Sequence, residues 1–281
     1  MPHTTLVSTE ELARHLDDPD WVVFDCRFTL TDPDSGRALY EEGHIPGARY
    51  AHLDNDLSSP VTDVTGRHPL PDVHVLANKL GNWGVDSGKQ VVVYDDVFGG
   101  MAVRMWWLLK WLGHDQVALL DGVYPKWVRE KRPVTSDKPV MSLTTFDPRP
   151  RDDMWVTAEQ VQQALARDAV LLDARAEERF EGMVEPLDKV AGHIPGALNR
   201  PFDDNLQISG EFMSPDELRQ EYLAQLENGD RRLVIHMCGS GVTACHNILA
   251  MQHAGLNAGK LYAGSWSEWI TDKNRPVETD L

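Results

Sequence analysis

The hexapeptide GHIPGA at residues 43–48 recurs unchanged at residues 192–197. An apolar run that ends in Asp-x-Arg precedes each copy, with the Asp-x-Arg at residues 25–27 and 173–175. Six identical residues in equivalent surroundings do not recur by chance. Self-similarity of this kind indicates that the chain contains a duplicated domain.

Two further matches extend the repeat. The apolar stretch 91–94 corresponds to 233–236, and residues 121–127 correspond to 263–269, where a Gly, an aromatic residue and a Trp occupy the same places. The distance between the copies is shorter here than at the hexapeptide, so the second half has lost a short segment between these landmarks.

Each half reads as short apolar strands that alternate with helical segments. This order predicts an α/β fold with two tandem domains, each a parallel sheet with helices on both faces. We place the domains at residues 1–134 and 154–281, and the Pro-containing segment 135–153 reads as the linker. Residues 155–166 predict the first helix of the second domain, with Thr157 as N-cap and Gln160 three residues later.

The composition excludes several classes of function. The 281 residues carry a formal net charge of −17, which disfavours nucleic acid and anionic membranes as partners. No export signal and no apolar stretch long enough to span a bilayer is evident, so we expect a cytoplasmic location. Three cysteines without a CxxC pair indicate reduced thiols rather than a disulfide framework.

Cys238 has the setting of a nucleophile. The apolar strand 233–237 runs into a Gly-containing loop at 238–243, and a helical stretch 244–253 follows. This places Cys238 at the carboxyl edge of a parallel strand, where open α/β sheets bind ligands. Gly239 and Gly241 let backbone N–H groups point inward, and with the helix dipole they stabilise negative charge at the sulfur.

Other conspicuous residues have structural interpretations. We expect the two Asp-x-Arg elements to form ion pairs at the sheet edge, and His44 and His193 of the hexapeptides to hold a turn. Cys26 and Cys245 read as core or surface thiols. The helically spaced Trp106, Trp107 and Trp111 read as packing residues. Neither HExxH nor paired CxxC spacing is present, so no metal site is predicted.

The hexapeptides and the loop 238–243 resemble those of the rhodanese superfamily, specifically the tandem-domain sulfurtransferases. The Cys-Gly-Ser-Gly-Val-Thr loop is similar to that of 3-mercaptopyruvate sulfurtransferases, whereas thiosulfate-specific relatives usually carry an Arg and a Lys after the cysteine. The resemblance covers residues from about Leu6 to Val277. In the first half, Asp96 falls at the position of Cys238, which implies an inactive domain that helps to form the cleft.

The resemblance implies a mechanism without a cofactor. Cys238 takes sulfur from 3-mercaptopyruvate as a persulfide and releases pyruvate, and an acceptor then collects the sulfur. Family acceptors include cyanide, small thiols and thioredoxin-like proteins. Thiosulfate is a compact dianion best held by cations, whereas Ser240 and Thr243 offer hydroxyls suited to a carbonyl and an enolate, so mercaptopyruvate is the favoured donor.

The resemblance also assigns roles to individual residues. Ser240, His68 and Asp54 match a Ser-His-Asp relay that would protonate the leaving enolate. Arg179 matches a substrate-binding Arg that would hold the donor's carboxylate. Better-known members place a second Arg after a Glu-Pro element, and Lys189 is the candidate to replace that Arg here. The remaining donor-binding candidates lie in the loop: Gly239, Gly241, Val242 and Thr243.

Three alternatives stay open. The first is a thiosulfate sulfurtransferase. The second is a cysteine phosphatase with a C-x5-R loop, which is weak because the chain has Ala244 where the loop needs Arg. The third is a non-catalytic sulfur-sensing or binding module, which fits the first half better than the intact loop of Cys238.

Overall fold

The computed structural model describes residues 2–226 and 233–280. These residues form two compact units. The first contains the N-terminal residues to Ser59, Leu70–Arg151 and Ile208–Glu211, and the second contains Pro60–Pro69, Asp152–Gln207 and the residues from Phe212 onward. The segment 135–151, within the predicted linker, lies with the first unit. There the Thr144 N–H donates to the carbonyl of Gly81 at 2.9 Å. The predicted domain boundaries stay a prediction.

A five-stranded parallel sheet forms the centre of the first unit, with the strand order β1-β5-β4-β2-β3. Its strands are β1 (Leu6–Val7), β2 (Trp21–Asp25), β3 (Arg49–Tyr50), β4 (Gln90–Tyr94) and β5 (Val117–Leu120). Its helices are α1 (Thr9–Arg14), α2 (Ser35–Glu42), α3 (Leu53–Asp56), α4 (Val73–Asn82), α5 (Ala102–Trp111) and α6 (Val123–Arg129).

The second unit repeats this topology with the strand order β6-β10-β9-β7-β8, again all parallel. Its strands are β6 (Trp155–Val156), β7 (Val170–Asp173), β8 (Leu198–Asn199), β9 (Val234–Met237) and β10 (Lys260–Tyr262). Its helices are α7 (Ala158–Leu165), α8 (Glu177–Phe180), α9 (Pro215–Gln225), α10 (Ala244–His253) and α11 (Ser265–Trp269), with 3-10 turns at Asp152–Met154 and Phe202–Asn205. The predicted fold class is confirmed.

The central strands are buried along their whole length, as expected for parallel strands covered on both faces. All residues of β4, β5, β7 and β9 are buried. Helix α5 is also buried all round, and it includes the three tryptophans that were expected to pack in the core. Each fully buried large apolar side chain of this kind contributes about 1.5–3 kcal/mol to folding.

The start of α7 follows the capping signal in the sequence. Thr157 caps α7, and its side chain and that of Gln160 form the reciprocal hydrogen bonds of a capping box, as predicted. The predicted start of this helix at Trp155 is wrong, because Trp155 and Val156 form an edge strand beside β10. Helix α10 has the predicted bounds, Ala244 to His253. In the described parts of the chain, no helix has the length and apolar character needed to cross a membrane.

Candidate active site

Cys238 follows β9 directly and lies in the loop before α10. Its side chain is buried, and the backbone N–H of Gly241 donates to its Sγ at 3.2 Å. Gly241 has a φ of +76°, and a Cβ at this position would lie 2.3 Å from the carbonyl oxygen of Ala263. The loop therefore needs glycine here in order to aim a backbone N–H at the sulfur.

The start of α11 holds the loop in place. The N–H of Cys238 donates to the Oγ of Ser265 at 3.1 Å, and its carbonyl accepts from the N–H of Trp266 at 3.0 Å. The carbonyl of Gly239 accepts from the N–H of Ser267 at 2.9 Å. These three bonds fix the backbone on both sides of the sulfur.

Val242 and Thr243 lead into the first turn of α10. Their carbonyls accept from the N–H groups of Cys245 and His246, both at 3.0 Å. The positive end of the α10 dipole therefore lies a few residues from Cys238, where it favours an anionic sulfur. The donor-binding roles of Val242 and Thr243 stay predictions.

Ser240 and His68 are in contact. The Oγ of Ser240 lies 2.7 Å from the Nδ1 of His68, and both side chains are buried. The segment Pro60–Pro69, which contains His68, belongs to the same unit as the loop. The N–H of Arg67 donates to the Oγ of Ser267 at 3.0 Å and so ties this segment to α11. The structure thus brings together two members of the predicted relay.

Asp54, the predicted third member, lies on α3 of the first unit. Its backbone N–H donates to the Nδ1 of His52 at 3.1 Å. The role of its carboxylate in the relay stays a prediction.

Arg179 lies beside the cysteine loop and holds two carboxylates. Its Nη2 donates to both oxygens of Glu185, at 2.7 and 3.0 Å, and to the Oδ2 of Asp188 at 3.2 Å. Burial acts to raise the pKa of Glu185, but hydrogen bonds from Arg179 and from the N–H groups of Asp188 and Leu187 hold that pKa below its ordinary value. The guanidinium predicted to bind the donor is thus already paired with acidic side chains of the protein.

The sequence interpretation missed Arg67 and Asp188. Arg67 forms a close ion pair with Asp188, and its Nη2 lies 2.7 Å from the point where a Cβ on Gly239 would be. Burial raises the pKa of Asp188, and the charge of Arg67 opposes this effect. In the sequence Arg67 directly precedes His68 and Asp188 directly precedes Lys189, but this adjacency alone assigns no role to either residue. Lys189 itself is exposed, and its predicted role stays untested.

The two Asp-x-Arg elements form the expected structural ion pairs. The Nη2 of Arg27 lies 2.6 Å from Asp25, and the Nη2 of Arg175 lies 2.7 Å from Asp173, with all four side chains buried. The same nitrogens also donate to the first carbonyl of each GHIPGA element, at 2.7 and 2.8 Å. The pairs therefore join the end of a central strand to the hexapeptide turn.

The histidines of the hexapeptides are structural, as expected. The Nδ1 of His44 lies 2.7 Å from the carbonyl of Tyr40, and its ring stacks on the Tyr40 ring. His193 makes the equivalent contact, at 2.8 Å, with the carbonyl of Phe180 and stacks on that ring. The two turns are thus held in the same way in both units.

The residue that replaces Cys238 in the first unit is Asp95, so the prediction of Asp96 is wrong. Strand pairing places Tyr94 opposite Asp25, and it places Met237 opposite Asp173 in the second unit. Asp95 therefore follows its strand as Cys238 follows β9. The carbonyl of Asp95 accepts from the N–H of Tyr124, as that of Cys238 accepts from Trp266.

The physical reason for this correction is the length of the loop. The match of apolar residues aligned β4 with β9 one residue out of register, because the loop from Asp95 to Ala102 is one residue longer than the loop from Cys238 to Ala244. The backbone hydrogen bonds, rather than the residue types, define which residues of the two units are equivalent.

The buried carboxylate of Asp95 fills the loop of the first unit. It accepts hydrogen bonds from four backbone N–H groups, at 2.8 to 2.9 Å, which belong to Val97, Gly99, Met101 and Ala102. Burial raises the pKa of Asp95 to about 6, and the four hydrogen bonds oppose this rise. The loop in this position is thus an anion-binding nest, which here holds the protein's own carboxylate.

The other two thiols lie in the core. Cys26 and Cys245 are buried, and the Sγ of Cys245 donates to the carbonyl of Gly241 at 3.5 Å. Burial, with the nearby Asp25 and Asp95, holds the pKa of Cys26 well above its ordinary value. No group of three or more His, Cys, Asp and Glu side chains placed to hold a metal ion occurs among the residues described.

Comparison with known proteins decides the family. The sequence matches the rhodanese-like domain over residues 8–130 and again over residues 157–272. The chain belongs to the rhodanese family. The two matched stretches correspond to the two halves of the repeat.

Named relatives match this rhodanese over nearly its whole length. A Pseudomonas aeruginosa protein named "Probable 3-mercaptopyruvate sulfurtransferase" is 48% identical over 282 residues, with 99% of each chain covered. A Mus musculus thiosulfate sulfurtransferase is 33% identical, with 99% of this chain and 95% of the mouse chain covered. The solved structure of 3-mercaptopyruvate sulfurtransferase from Leishmania major has a TM-score of 0.86 at 29% identity, with 99% of this chain and 77% of that chain covered.

Proposed function

We propose that this rhodanese is a 3-mercaptopyruvate sulfurtransferase in which Cys238 carries the sulfur. The observation that carries the choice of donor is the buried contact between Ser240 and His68, two residues from the sulfur. A hydroxyl in contact with an imidazole can give a proton to an enolate and recover one from the ring. Thiosulfate, which leaves as sulfite, has no such requirement. The Pseudomonas aeruginosa relative named for 3-mercaptopyruvate is 48% identical to this chain, and the mouse relative named for thiosulfate is 33% identical.

The first step forms a persulfide. The Cys238 thiolate attacks the sulfur of 3-mercaptopyruvate, a new S–S bond forms and the C–S bond breaks. The electron pair of that bond passes to the carbon and gives the enolate of pyruvate, which Ser240 and His68 protonate. The thiol proton of the donor stays on the outer sulfur.

The cysteine loop stabilises the sulfur in both steps. The N–H of Gly241 already donates to the Sγ of Cys238, and the dipole of α10 favours negative charge there. The equivalent loop of the first unit directs four backbone N–H groups at the carboxylate of Asp95, which shows the number of inward donors that this type of loop can supply.

The second step returns the enzyme to its thiolate. An acceptor nucleophile, which is cyanide, a small thiol or the thiol of a thioredoxin-like protein, attacks the outer sulfur. The S–S bond breaks, and its electron pair remains on the Sγ of Cys238. No cofactor takes part, and the two half-reactions give ping-pong kinetics.

An assay with both donors tests the proposal. Thiocyanate formation is measured for both donors with cyanide as acceptor. Pyruvate formation is measured in addition when 3-mercaptopyruvate is the donor. The proposal expects a higher kcat/KM with 3-mercaptopyruvate and loss of both activities in Cys238→Ser, while Cys245→Ser keeps both. A higher kcat/KM with thiosulfate would assign the alternative donor, and activity in Cys238→Ser would reject the nucleophile.

A further inference from the structure

We infer that the hydroxyl of Ser265 positions Cys238 for sulfur transfer, because it fixes the backbone N–H of the nucleophile from the start of α11. The inference rests on the proposed function and names a positioning residue for it, since Ser265 acts through the backbone of Cys238. Both residues are buried and belong to the second unit.

The first step of the argument is the place where strand pairing stops beside the nucleophile. The last paired residues of β9 and β10 are His236 and Leu261. Beyond this pair, the hydroxyl of Ser265 accepts from the N–H of Cys238 at 3.1 Å and donates to the carbonyl of Tyr262 at 2.9 Å. The hydroxyl thus extends the hydrogen bonding between the two strands up to the residue that carries the sulfur.

The second step is the backbone conformation of Ser265. Its φ is +53°, in the left-handed region that residues with a Cβ seldom adopt. Such a conformation costs free energy and persists only when the surrounding contacts enforce it. Here the Ser265 side chain binds the N–H of Cys238, while the next N–H, of Trp266, donates to the Cys238 carbonyl at 3.0 Å. One turn of the chain therefore holds both polar groups of the Cys238 backbone.

The third step compares this turn with that of the first unit, which has no sulfur nucleophile. Val123 occupies the equivalent position, directly before the residue whose N–H donates to the carbonyl of Asp95 at 2.9 Å. The φ of Val123 is +47°, so the backbone has the same conformation in both units. A Val side chain has no hydroxyl. The left-handed turn is therefore a feature of the fold, whereas the hydroxyl accompanies the cysteine.

The fourth step joins the turn to the sulfur. The N–H of Gly241 donates to the Sγ of Cys238, and a Cβ on Gly241 would lie 2.3 Å from the carbonyl oxygen of Ala263, in the same turn. Loss of the Ser265 hydroxyl leaves the buried N–H of Cys238 without its acceptor, which is costly. The backbone shift that relieves this cost moves the Sγ relative to the N–H of Gly241, and the thiolate loses stabilisation.

Alkylation of Cys238 by iodoacetamide tests the inference, because it reports on the thiolate and needs no donor. The rate is measured on the full-length protein over a range of pH, and peptide mass spectrometry identifies Cys238 as the residue modified. Ser265→Val removes the hydroxyl and introduces the side chain that the first unit has at this position. Ser265→Thr keeps the hydroxyl on the same branched shape. Ser136→Val, at an exposed serine, is the control for the substitution itself.

We expect Ser265→Val to be alkylated about twofold to tenfold more slowly than the wild type near neutral pH, the effect of losing one hydrogen bond. Its pH profile should move to higher pH. Ser265→Thr and Ser136→Val should match the wild type. With 3-mercaptopyruvate as donor, kcat should fall in Ser265→Val by a similar factor while KM changes little, because Ser265 acts through Cys238.

Ser265→Gly separates the hydroxyl from the backbone strain. Glycine adopts a positive φ freely, so this variant should fold even if Ser265→Val does not, and thermal unfolding identifies any variant that fails to fold. Both variants lack the hydroxyl, so both should be alkylated slowly. A Ser265→Gly rate equal to that of the wild type would overturn the inference, and so would equal rates in Ser265→Val and Ser265→Thr.

The two proposals fail in different ways. If the alkylation rates follow the expected pattern but 3-mercaptopyruvate is not turned over, the positioning by Ser265 stands and the proposed function fails. If 3-mercaptopyruvate is turned over but Ser265→Val and Ser265→Gly are alkylated as fast as the wild type, the proposed function stands and the positioning by Ser265 is rejected.

Discussion

The Nδ1 of His68 lies 2.7 Å from the Oγ of Ser240, although 172 residues separate the two in the chain. The contact joins the segment Pro60–Pro69 to the cysteine loop within one compact unit. It places an imidazole and a hydroxyl, both buried, beside the loop that carries Cys238. This pair is what distinguishes the site from a thiol that simply lies in an anion-binding loop.

Removal of either partner should slow turnover of 3-mercaptopyruvate. We expect His68→Ala and Ser240→Ala each to lower kcat by roughly 10²- to 10⁴-fold, the usual contribution of a positioned proton donor. The double variant should be no slower than the slower single variant, because both residues act in one relay. Steady-state pyruvate release measures this, with the exposed His74→Ala as control. Additive losses would show that the residues act separately.

A side chain at residue 239 should disturb donor binding. A Cβ on Gly239 would lie 2.7 Å from the Nη2 of Arg67, so Gly239→Ala must push this guanidinium away. We expect a higher KM for 3-mercaptopyruvate, by about tenfold at most, with a much smaller change in kcat. Gly88→Ala, where the nearest atom would lie 3.4 Å away, is the control. An unchanged KM would show that the position of Arg67 does not affect the donor.

Asp95 should be important for stability rather than for catalysis. Asp95→Ala leaves four buried backbone N–H groups without their acceptor. We expect a loss of about 2–4 kcal/mol in the free energy of unfolding of the first unit, since buried donors without partners are costly. Denaturant unfolding of the full chain measures it. The neighbouring Asp96→Ala should cost much less, and the opposite order would restore Asp96 as the loop anion.

Pyruvate affinity should depend on pH through Asp188. Its pKa is raised from 3.8 by burial, although the facing Arg67, Arg179 and Arg175 lower it; Glu185 also faces it. When the pH falls through this raised pKa, Asp188 becomes neutral and loses its ion pairs with Arg67 and Arg179. The two guanidiniums then attract the carboxylate of pyruvate more strongly.

The ratio of the pyruvate Kd values of the wild type and Asp188→Asn measures this effect. The ratio should be largest above that pKa and should approach one as the pH falls. Any other effect of pH is shared by the two proteins and cancels in the ratio. A ratio that does not change with pH would contradict the expectation.

The architecture could be predicted from the sequence because short local features define each copy of the repeat. The apolar runs, the hexapeptide turns and the cap at Thr157 are all encoded over a few residues. The edge strands β1, β3, β6 and β8 were missed because each has two residues, which is too short to show a period. For the same reason Trp155 was assigned to a helix.

The order of strands and helices predicted only the cysteine loop, whereas the pairing of Ser240 with His68 and the place of Arg179 came from the family resemblance. Cys238 and its loop lie between one strand and one helix, so their order in the chain reveals them. Arg67 and Asp188 come from separate loops, and a charged residue in a loop normally indicates a solvated surface. Their pairing beside Gly239 depends on tertiary packing, which no local pattern encodes. The equivalent of Cys238 was predicted one residue too late, at Asp96 instead of Asp95, because a match of apolar residues does not detect an extra residue in a loop.

The central claim is that Cys238 carries sulfur taken from 3-mercaptopyruvate, and one measurement tests it most directly. The protein is incubated with 3-mercaptopyruvate without an acceptor, and the intact chain and its alkylated peptides are examined by mass spectrometry. The account predicts the addition of one sulfur atom on the peptide that contains Cys238, its loss when cyanide is added, and no addition in Cys238→Ser. A chain that releases pyruvate without acquiring sulfur at Cys238, or that acquires it at Cys26 or Cys245 instead, would contradict the account.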